Sequence, residues 1–89
     1  MQANFLLGSL KITEPARMLL KRIPLDLVAR HAINDHGLVT ADEQRENEKS
    51  METLGLIISR YRADPTKRRS PNVMVETCVG WGETIVSVE

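Results

Sequence analysis

Residues 56–88 read LIISRYRADPTKRRSPNVMVETCVGWGETIVSV, and their pattern is the most informative about the sheet. It contains three segments, 56–62, 72–79 and 83–88, that are rich in β-branched and apolar residues, as strands are. In the first segment Ile57, Ser59 and Tyr61 face one way, and Ile58, Arg60 and Arg62 face the other. A proline-rich polar loop and a Gly80-Trp81-Gly82 turn separate the three segments. Because consecutive strands with short connections usually pair, the stretch predicts an antiparallel C-terminal meander.

Upstream of the meander, the sequence predicts one strand and two short helices. FLLGSLKI, residues 5–12, is typical of a strand, although Gly8 weakens it or marks a bulge. Thr13 is a good N-cap, and Pro15 suits the first turn of a helix. Pro24 ends this helix and starts another, for which Gly37 is a natural stop. Apolar residues at helical spacing predict the two buried stripes: Ala16, Leu19, Leu20, Ile23 and then Leu25, Val28, Ala29, Ala32.

A third helix follows, with an unusually polar buried face. Thr40 and Glu43 have the spacing of a capping box, and Gly55 ends the helix near residue 54. The predicted inner stripe is Gln44, Asn47, Met51 and Leu54, so we expect partial exposure or contact with a partner. Taken together, the elements predict a single α+β domain over residues 1–89. It has three short helices packed on an antiparallel sheet of three to four strands.

Composition and charge limit the partners and the cellular compartment that we expect for this chain of 89 residues. Its formal net charge is zero, so no overall field attracts it to nucleic acid or to a membrane. Cys78 is the single cysteine, which excludes an intramolecular disulfide and favours the cytoplasm. Residues 1–4 do not form the basic start of a signal peptide, and no apolar run is long enough to span a bilayer. We therefore expect a cytoplasmic protein without a membrane partner.

The densest polar cluster is Arg30, His31, Asp35 and His36. The two histidines are five residues apart, a poor spacing for two metal ligands on one helix face, and a third firm ligand is missing. A His–Asp pair could act as a general base, but the sequence places no nucleophile beside it. The simpler interpretation is that His31 packs at the helix end while Asp35 caps it or pairs with Arg30. Asn47 is expected to hydrogen-bond a loop backbone near Asp35, with ligand contact as the alternative. We predict no catalytic residue, metal or cofactor.

Charge is distributed unevenly along the chain. The third helix is mostly acidic, whereas five basic residues follow within ten positions: Arg60, Arg62, Lys67, Arg68 and Arg69. A basic hairpin of this kind could contact phosphates, although few aromatic residues are available for base stacking. Trp81 is the only tryptophan and lies in a turn, where an exposed indole often anchors a protein contact. The alternative is that its side chain folds back over the sheet.

The order of motifs resembles a family of small bacterial proteins from plasmids and other mobile elements. Its pattern is LGxxxxTPxA, LxRHxxxDxG, NE and SxY, followed by a threonine in each of the last two strands. The matching residues are Leu7, Gly8, Thr13, Pro15, Arg30, His31, Asp35, Gly37, Asn47, Glu48, Gly55, Ser59, Tyr61, Thr77 and Thr84. Some members are labelled as the methylating subunit of a type I restriction enzyme. This chain lacks the glycine-rich turn that a methyltransferase cofactor needs.

Three functional hypotheses follow from the sequence. The first is a non-enzymatic accessory protein that acts by protein–protein interaction, including with a second copy of itself. The second is a small nucleic-acid-binding protein that uses the basic residues between Arg60 and Arg69. The third is a metal-dependent or His/Asp hydrolase built on His31, Asp35 and His36.

Overall fold

The structure is a computed structural model, and it describes residues 5–89. The expectation about a signal peptide rests on residues 1–4, which lie outside this described part. The elements are β1 (Ser9–Ile12), α1 (Glu14–Leu20), α2 (Leu25–Ala32), α3 (Ala41–Thr53), β2 (Leu56–Arg62), β3 (Asn72–Cys78) and β4 (Glu83–Val88). The predicted α+β class, with helices packed on a sheet, is confirmed. None of the helices within residues 5–89 is long and apolar enough to cross a bilayer.

The sheet has the strand order β1-β4-β3-β2 and is mixed. Strands β2, β3 and β4 form the predicted antiparallel meander, whereas β1 runs parallel to β4. The sequence did not reveal this parallel pairing, because no turn constrains two strands so far apart in the chain. Gly8 explains how β1 begins: its φ is +67°, and a Cβ there would lie 1.9 Å from the carbonyl oxygen of Gly82. Only glycine permits such a close approach of two backbones.

The apolar core lies between the sheet and the helices α1 and α2. The inward-facing residues of the strands alternate with less buried ones, as the period of two requires. The core consists of Ala16, Leu27, Val28, Tyr61, Val73, Val75 and Val86. With few aromatic residues in the chain, this core is built mainly of aliphatic side chains.

The predicted stripe of α1 is wrong at its C-terminal end. The Thr13 hydroxyl accepts a hydrogen bond from the Ala16 amide, as expected of an N-cap. The helix ends at Leu20, because Lys21 adopts a left-handed conformation with φ of 55°. Ile23 therefore lies beyond the helix and is exposed rather than buried. Leu19 of the first stripe is exposed as well, and so are Leu25 and Ala29 of the second, which lie on the solvent side of α2.

Helix α2 is also shorter than the sequence indicated, since it ends at Ala32 and not near Gly37. The following loop returns to the sheet. The Arg60 amide donates to the His36 carbonyl at 3.0 Å, and the Leu38 amide donates to the Arg60 carbonyl at 2.8 Å. Gly37 has φ of +69°, and a Cβ there would lie 2.2 Å from the Arg60 carbonyl oxygen. Glycine is thus required for this loop to pair with β2.

Helix α3 begins with the predicted capping box. The Glu43 amide donates to the Thr40 hydroxyl at 3.1 Å, and the Thr40 amide donates to the Glu43 carboxylate at 3.0 Å. The helix ends at Thr53, where Leu54 takes a left-handed conformation. Of the predicted inner stripe only Asn47 is buried, and Leu54 is exposed. Helix α3 therefore buries one polar residue against β2 rather than an apolar stripe.

Candidate functional site

A chain of hydrogen-bonded side chains runs through the core, and we call it the polar chain. It consists of His36, Ser59, His31, Thr77 and Thr84, all of them buried. The successive distances are 2.7 Å from His36 Nδ1 to Ser59 Oγ and 2.6 Å from Ser59 Oγ to His31 Nδ1. They continue with 2.8 Å from His31 Nε2 to Thr77 Oγ1 and 2.7 Å from Thr77 Oγ1 to Thr84 Oγ1. The polar chain thereby links α2 and the following loop to three strands.

The direction of these hydrogen bonds is fixed at one end. Thr84 Oγ1 lies 2.6 Å from the Leu7 carbonyl, which can only accept, so the Thr84 hydroxyl donates to it. Thr77 must then donate to Thr84, and His31 Nε2–H must donate to Thr77. Burial lowers the pKa of His31 to about 3, so the ring is neutral, its single proton is on Nε2, and its Nδ1 accepts from the Ser59 hydroxyl. This proton assignment follows from the geometry of the hydrogen bonds together with the neutral state of the ring.

The same reasoning assigns the proton of His36. The Ser59 hydroxyl already donates to His31, so His36 donates from Nδ1–H to the Ser59 oxygen. His36 Nε2 is then an acceptor, and within residues 5–89 this buried atom has no hydrogen-bond partner. The ring is held by its Nδ1 contact and by an edge-on contact with His31, with centroids 5.8 Å apart.

The environment of the polar chain disfavours positive charge. Burial lowers the pKa of His31 from 6.5 to about 3, and the neighbouring His36 acts in the same direction. Burial also lowers the pKa of His36, although the Asp35 carboxylate opposes this shift. Both histidines are therefore neutral at physiological pH.

Asp35 does not join the histidines. Its carboxylate pairs with the Arg30 guanidinium at 2.7 Å, as the simpler interpretation predicted. Arg30 also lies over the ring of Tyr61, 4.6 Å from the centroid, and the Tyr61 hydroxyl donates to the Asp35 carbonyl at 2.5 Å. The Arg30 hydrogen bond lowers the pKa of Asp35, while burial raises that of Tyr61 to about 12. This group fixes the end of α2 to β2.

Asn47 closes the outer edge of β2. Its amide nitrogen donates to the Ile58 carbonyl, and its amide oxygen accepts from the Ile58 amide, both at 2.8 Å. The prediction that Asn47 contacts a loop near Asp35 is wrong, because its partner is a strand. The loop at Gly37 pairs with Arg60, two residues further along the strand. The outer backbone groups of Ile58 and Arg60 are therefore both covered. Covered edges resist pairing with other chains.

These contacts engage the polar side chains that could otherwise take part in catalysis. Ser59 and His31 have the separation of a nucleophile and its base, yet both side chains are fully buried. The Ser59 oxygen also accepts from His36, so it faces the core and not a substrate. Within the described residues, no group of three or more His, Cys, Asp or Glu side chains is arranged to hold a metal ion.

The five predicted nucleic-acid contacts do not form one free patch. Arg60 is held between Glu43 and Glu89, and its hydrogen bond lowers the pKa of Glu43 to about 2. Lys67 lies 3.9 Å from Asp64, a loose pair. The remaining three are exposed and make no ion pair within residues 5–89: Arg62, Arg68 and Arg69.

Two shallow grooves connect these loop residues to the helices. Arg62 and Arg22 line a groove of about 380 Å³, together with Arg30 and Leu38. Leu19 of α1 lines the next groove with Lys67 and Arg69. A third depression adjoins the first and shares Arg22 with it, and we call the surface of all three the basic end. Its charged lining residues are the acidic Asp26 and Asp64 and the basic Arg17, Lys21, Arg22, Arg30, Arg60, Arg62, Lys67 and Arg69.

Apolar side chains are exposed where α1 turns into α2, at residues 17–25, which we call the basic corner. Met18 is 68% exposed, and Ile23 and Leu25 are each 64% exposed. Arg17 and Lys21 flank them and line a shared depression with Ile23. Sequence reasoning missed this surface because it placed Ile23 and Leu25 in the core. The left-handed residue at the end of α1 was the feature that no apolar pattern reveals.

A second mixed surface lies between α3 and β2, and we call it the acidic groove. It has a volume of about 440 Å³ and is lined by Asp42, Glu43, Glu46, Asn47, Ser50, Leu56 and Ile58. Leu54 is exposed next to it. The Gly80 amide donates to the Leu54 carbonyl at 3.1 Å, which brings the turn of Trp81 to this end of the sheet. Trp81 itself is 84% exposed.

Comparison with known proteins finds no matching family model and no significant match among curated proteins or solved structures. The resemblance to mobile-element proteins stays a prediction from the sequence motifs.

Proposed function

We propose that the protein is a small non-enzymatic accessory protein that acts by binding a protein partner, including a second copy of its own chain. The observation that carries this proposal is the exposure of Met18, Ile23 and Leu25, which are close in the chain, in the basic corner. Large apolar side chains that cluster on a small surface are typical of interaction sites.

The fate of the polar residues supports the same proposal. His31 is buried and neutral, Asp35 is paired with Arg30, and Asn47 completes the edge of a strand. Each of these contacts stabilises the fold, so these three side chains serve the structure and not a reaction. The exposed surfaces are therefore the parts of the molecule that we propose to bind a partner.

The test is capture of partners from a lysate of the organism that carries the gene, with nuclease present. Wild-type protein should retain a specific protein, and Met18→Ser/Ile23→Ser should lose it. Leu6→Ser is the matched control, because it removes an exposed apolar side chain that lies outside residues 17–25. The proposal is refuted if nothing is retained and the chain also fails to associate with itself.

Nucleic-acid binding is the second candidate, and one observation favours it. The exposed cations of the β2–β3 loop are joined by Arg17, Lys21 and Arg22, so the basic surface is larger than the sequence indicated. Such a surface binds phosphates with an affinity that falls as salt rises. This second candidate is less favoured, because few aromatic side chains are available to stack on bases.

The second candidate is tested by titrating fluorescent single-stranded and duplex DNA and RNA at low salt. Binding should weaken when the loop residues Lys67, Arg68 and Arg69 become alanine. Replacing Arg45 and Lys49 of α3 by alanine is the matched control, since these basic residues lie outside the basic end. Absence of binding at low salt removes this candidate.

A further inference from the structure

The basic corner and the acidic groove, a depression of about 440 Å³, are complementary in two respects. The corner carries Arg17 and Lys21, whereas the groove carries Glu46 and other carboxylates. Both surfaces also present aliphatic side chains, Met18 and Ile23 on one and Leu56 on the other.

We propose that the basic corner of one copy docks into the acidic groove of a second copy, so that the chain associates head to tail. This inference rests on the proposed function and names the partner for it. The charges needed for the contact are available. Within residues 5–89, Arg17, Lys21 and Glu46 form no ion pair inside the chain.

Contacts between like surfaces are disfavoured by charge. Two basic corners would bring Arg17 and Lys21 against the same cations of the other copy. Two acidic grooves would bring Glu46, which has no ion pair within residues 5–89, against its own counterpart. Juxtaposed like charges oppose association, while opposite charges direct it and are screened by salt.

A head-to-tail contact has a consequence for assembly. Because each copy keeps one free corner and one free groove, further copies can add until a ring closes. Association should therefore continue beyond a dimer as concentration rises. A symmetric contact, in contrast, stops at two copies.

The experiment is sedimentation velocity of the full chain at low salt over a wide range of concentration. The wild-type mass should rise above 10.0 kDa with concentration and fall back when salt is added. Met18→Ser/Ile23→Ser should block the corner, and Glu46→Gln/Leu56→Ser should block the groove. Each variant alone should associate at least about tenfold more weakly. Leu6→Ser is the control that should associate as the wild type does, and circular dichroism checks that every variant is folded.

Mixing the two blocked variants gives the decisive result. The first variant still has its groove and the second still has its corner, so the mixture should form a 1:1 dimer and nothing larger. A symmetric interface predicts no such rescue, and its absence in folded variants overturns the inference. A wild-type chain that stays monomeric at every concentration also overturns it. The proposed function then survives if a different protein is captured in the nuclease-treated lysate.

Discussion

Lowering the pH from about 7.5 to about 5 should destabilise the folded protein, because its buried histidines resist protonation. In the unfolded chain His31 takes up a proton near its ordinary pKa of 6.5, whereas burial lowers its pKa in the folded chain to about 3. The unfolded state then binds more protons than the folded state. The free energy of unfolding must therefore rise with pH across this window and fall as the pH is lowered.

The size of the effect follows from the two pKa values. His31 is fully buried, so solvent screening does not reduce it. At a pH of about 5 the loss from His31 alone is about 2 kcal/mol, and it grows toward about 5 kcal/mol as the pH approaches 3. His36 adds a loss of the same sign, because burial lowers its pKa as well. A domain of this size has a total stability on the order of 5–13 kcal/mol, so the change is easily measured.

The carboxylates do not interfere in this window. Salt bridges and hydrogen bonds lower the pKa values of Asp26, Asp35, Glu43 and Glu89. Their contribution to stability is present above their unfolded pKa values, which are near 4, and is lost only below them. Between about pH 7.5 and about pH 5, the histidines are the side chains that titrate differently in the two states.

Urea unfolding at several pH values, followed by circular dichroism, measures the effect. Trp81 fluorescence is a poor probe, because the indole is exposed already in the folded state. The control is His31→Gln, whose amide can donate to Thr77 and accept from Ser59 but does not titrate. Since the chain has two histidines, this variant should keep only the slope that His36 contributes. A wild-type stability that is flat over this window, or an unchanged slope in the variant, refutes a buried neutral His31.

Three further substitutions test the contacts that position the site, each by urea unfolding. Thr77→Val removes the central hydroxyl of the polar chain and should cost about 1–3 kcal/mol, because it leaves buried polar groups unpaired on both sides. Asn47→Asp should destabilise more than Asn47→Ala, since a carboxylate cannot donate to the Ile58 carbonyl and repels it. Gly37→Ala should destabilise more than Gly82→Ala: both glycines have positive φ, but only at Gly37 does a Cβ collide with backbone. Equal losses for the two alanines would contradict the close approach of that loop to β2.

The C-terminal meander was predictable because its information is local. Ile57, Ser59 and Tyr61 alternate with less buried residues, and this period of two fixes both the strand and its inner face. The parallel pairing of β1 with β4 depends instead on partners more than seventy positions apart, such as Leu10 and Thr84. No local pattern specifies which edge of a meander a distant strand will join.

The site was predictable only in part, for a related reason. The pairing of Arg30 with Asp35 follows from their short separation at a helix end. The polar chain requires His31 to meet Ser59 and Thr77, which lie 28 and 46 positions away. A signal was present in the sequence, because a polar residue occupies an inward-facing position in each of three strands: Ser59, Thr77 and Thr84. Inward polar residues in a small core must find partners, and a buried histidine is one group that can bridge two hydroxyls.

The polar chain also explains how a small aliphatic core can select one arrangement of its strands. Valine and isoleucine side chains pack in several registers at similar cost, but a hydrogen bond tolerates little displacement. If β1 slipped by one residue along β4, the Leu7 carbonyl would move away from the Thr84 hydroxyl, and this buried donor would lose its acceptor. Leaving a buried polar group without a hydrogen bond costs more free energy than the repacking of a methyl group can return. The polar residues of the core therefore specify the fold, whereas exposed residues of the two proposed contact surfaces, such as Met18 and Glu46, can be replaced without disturbing it.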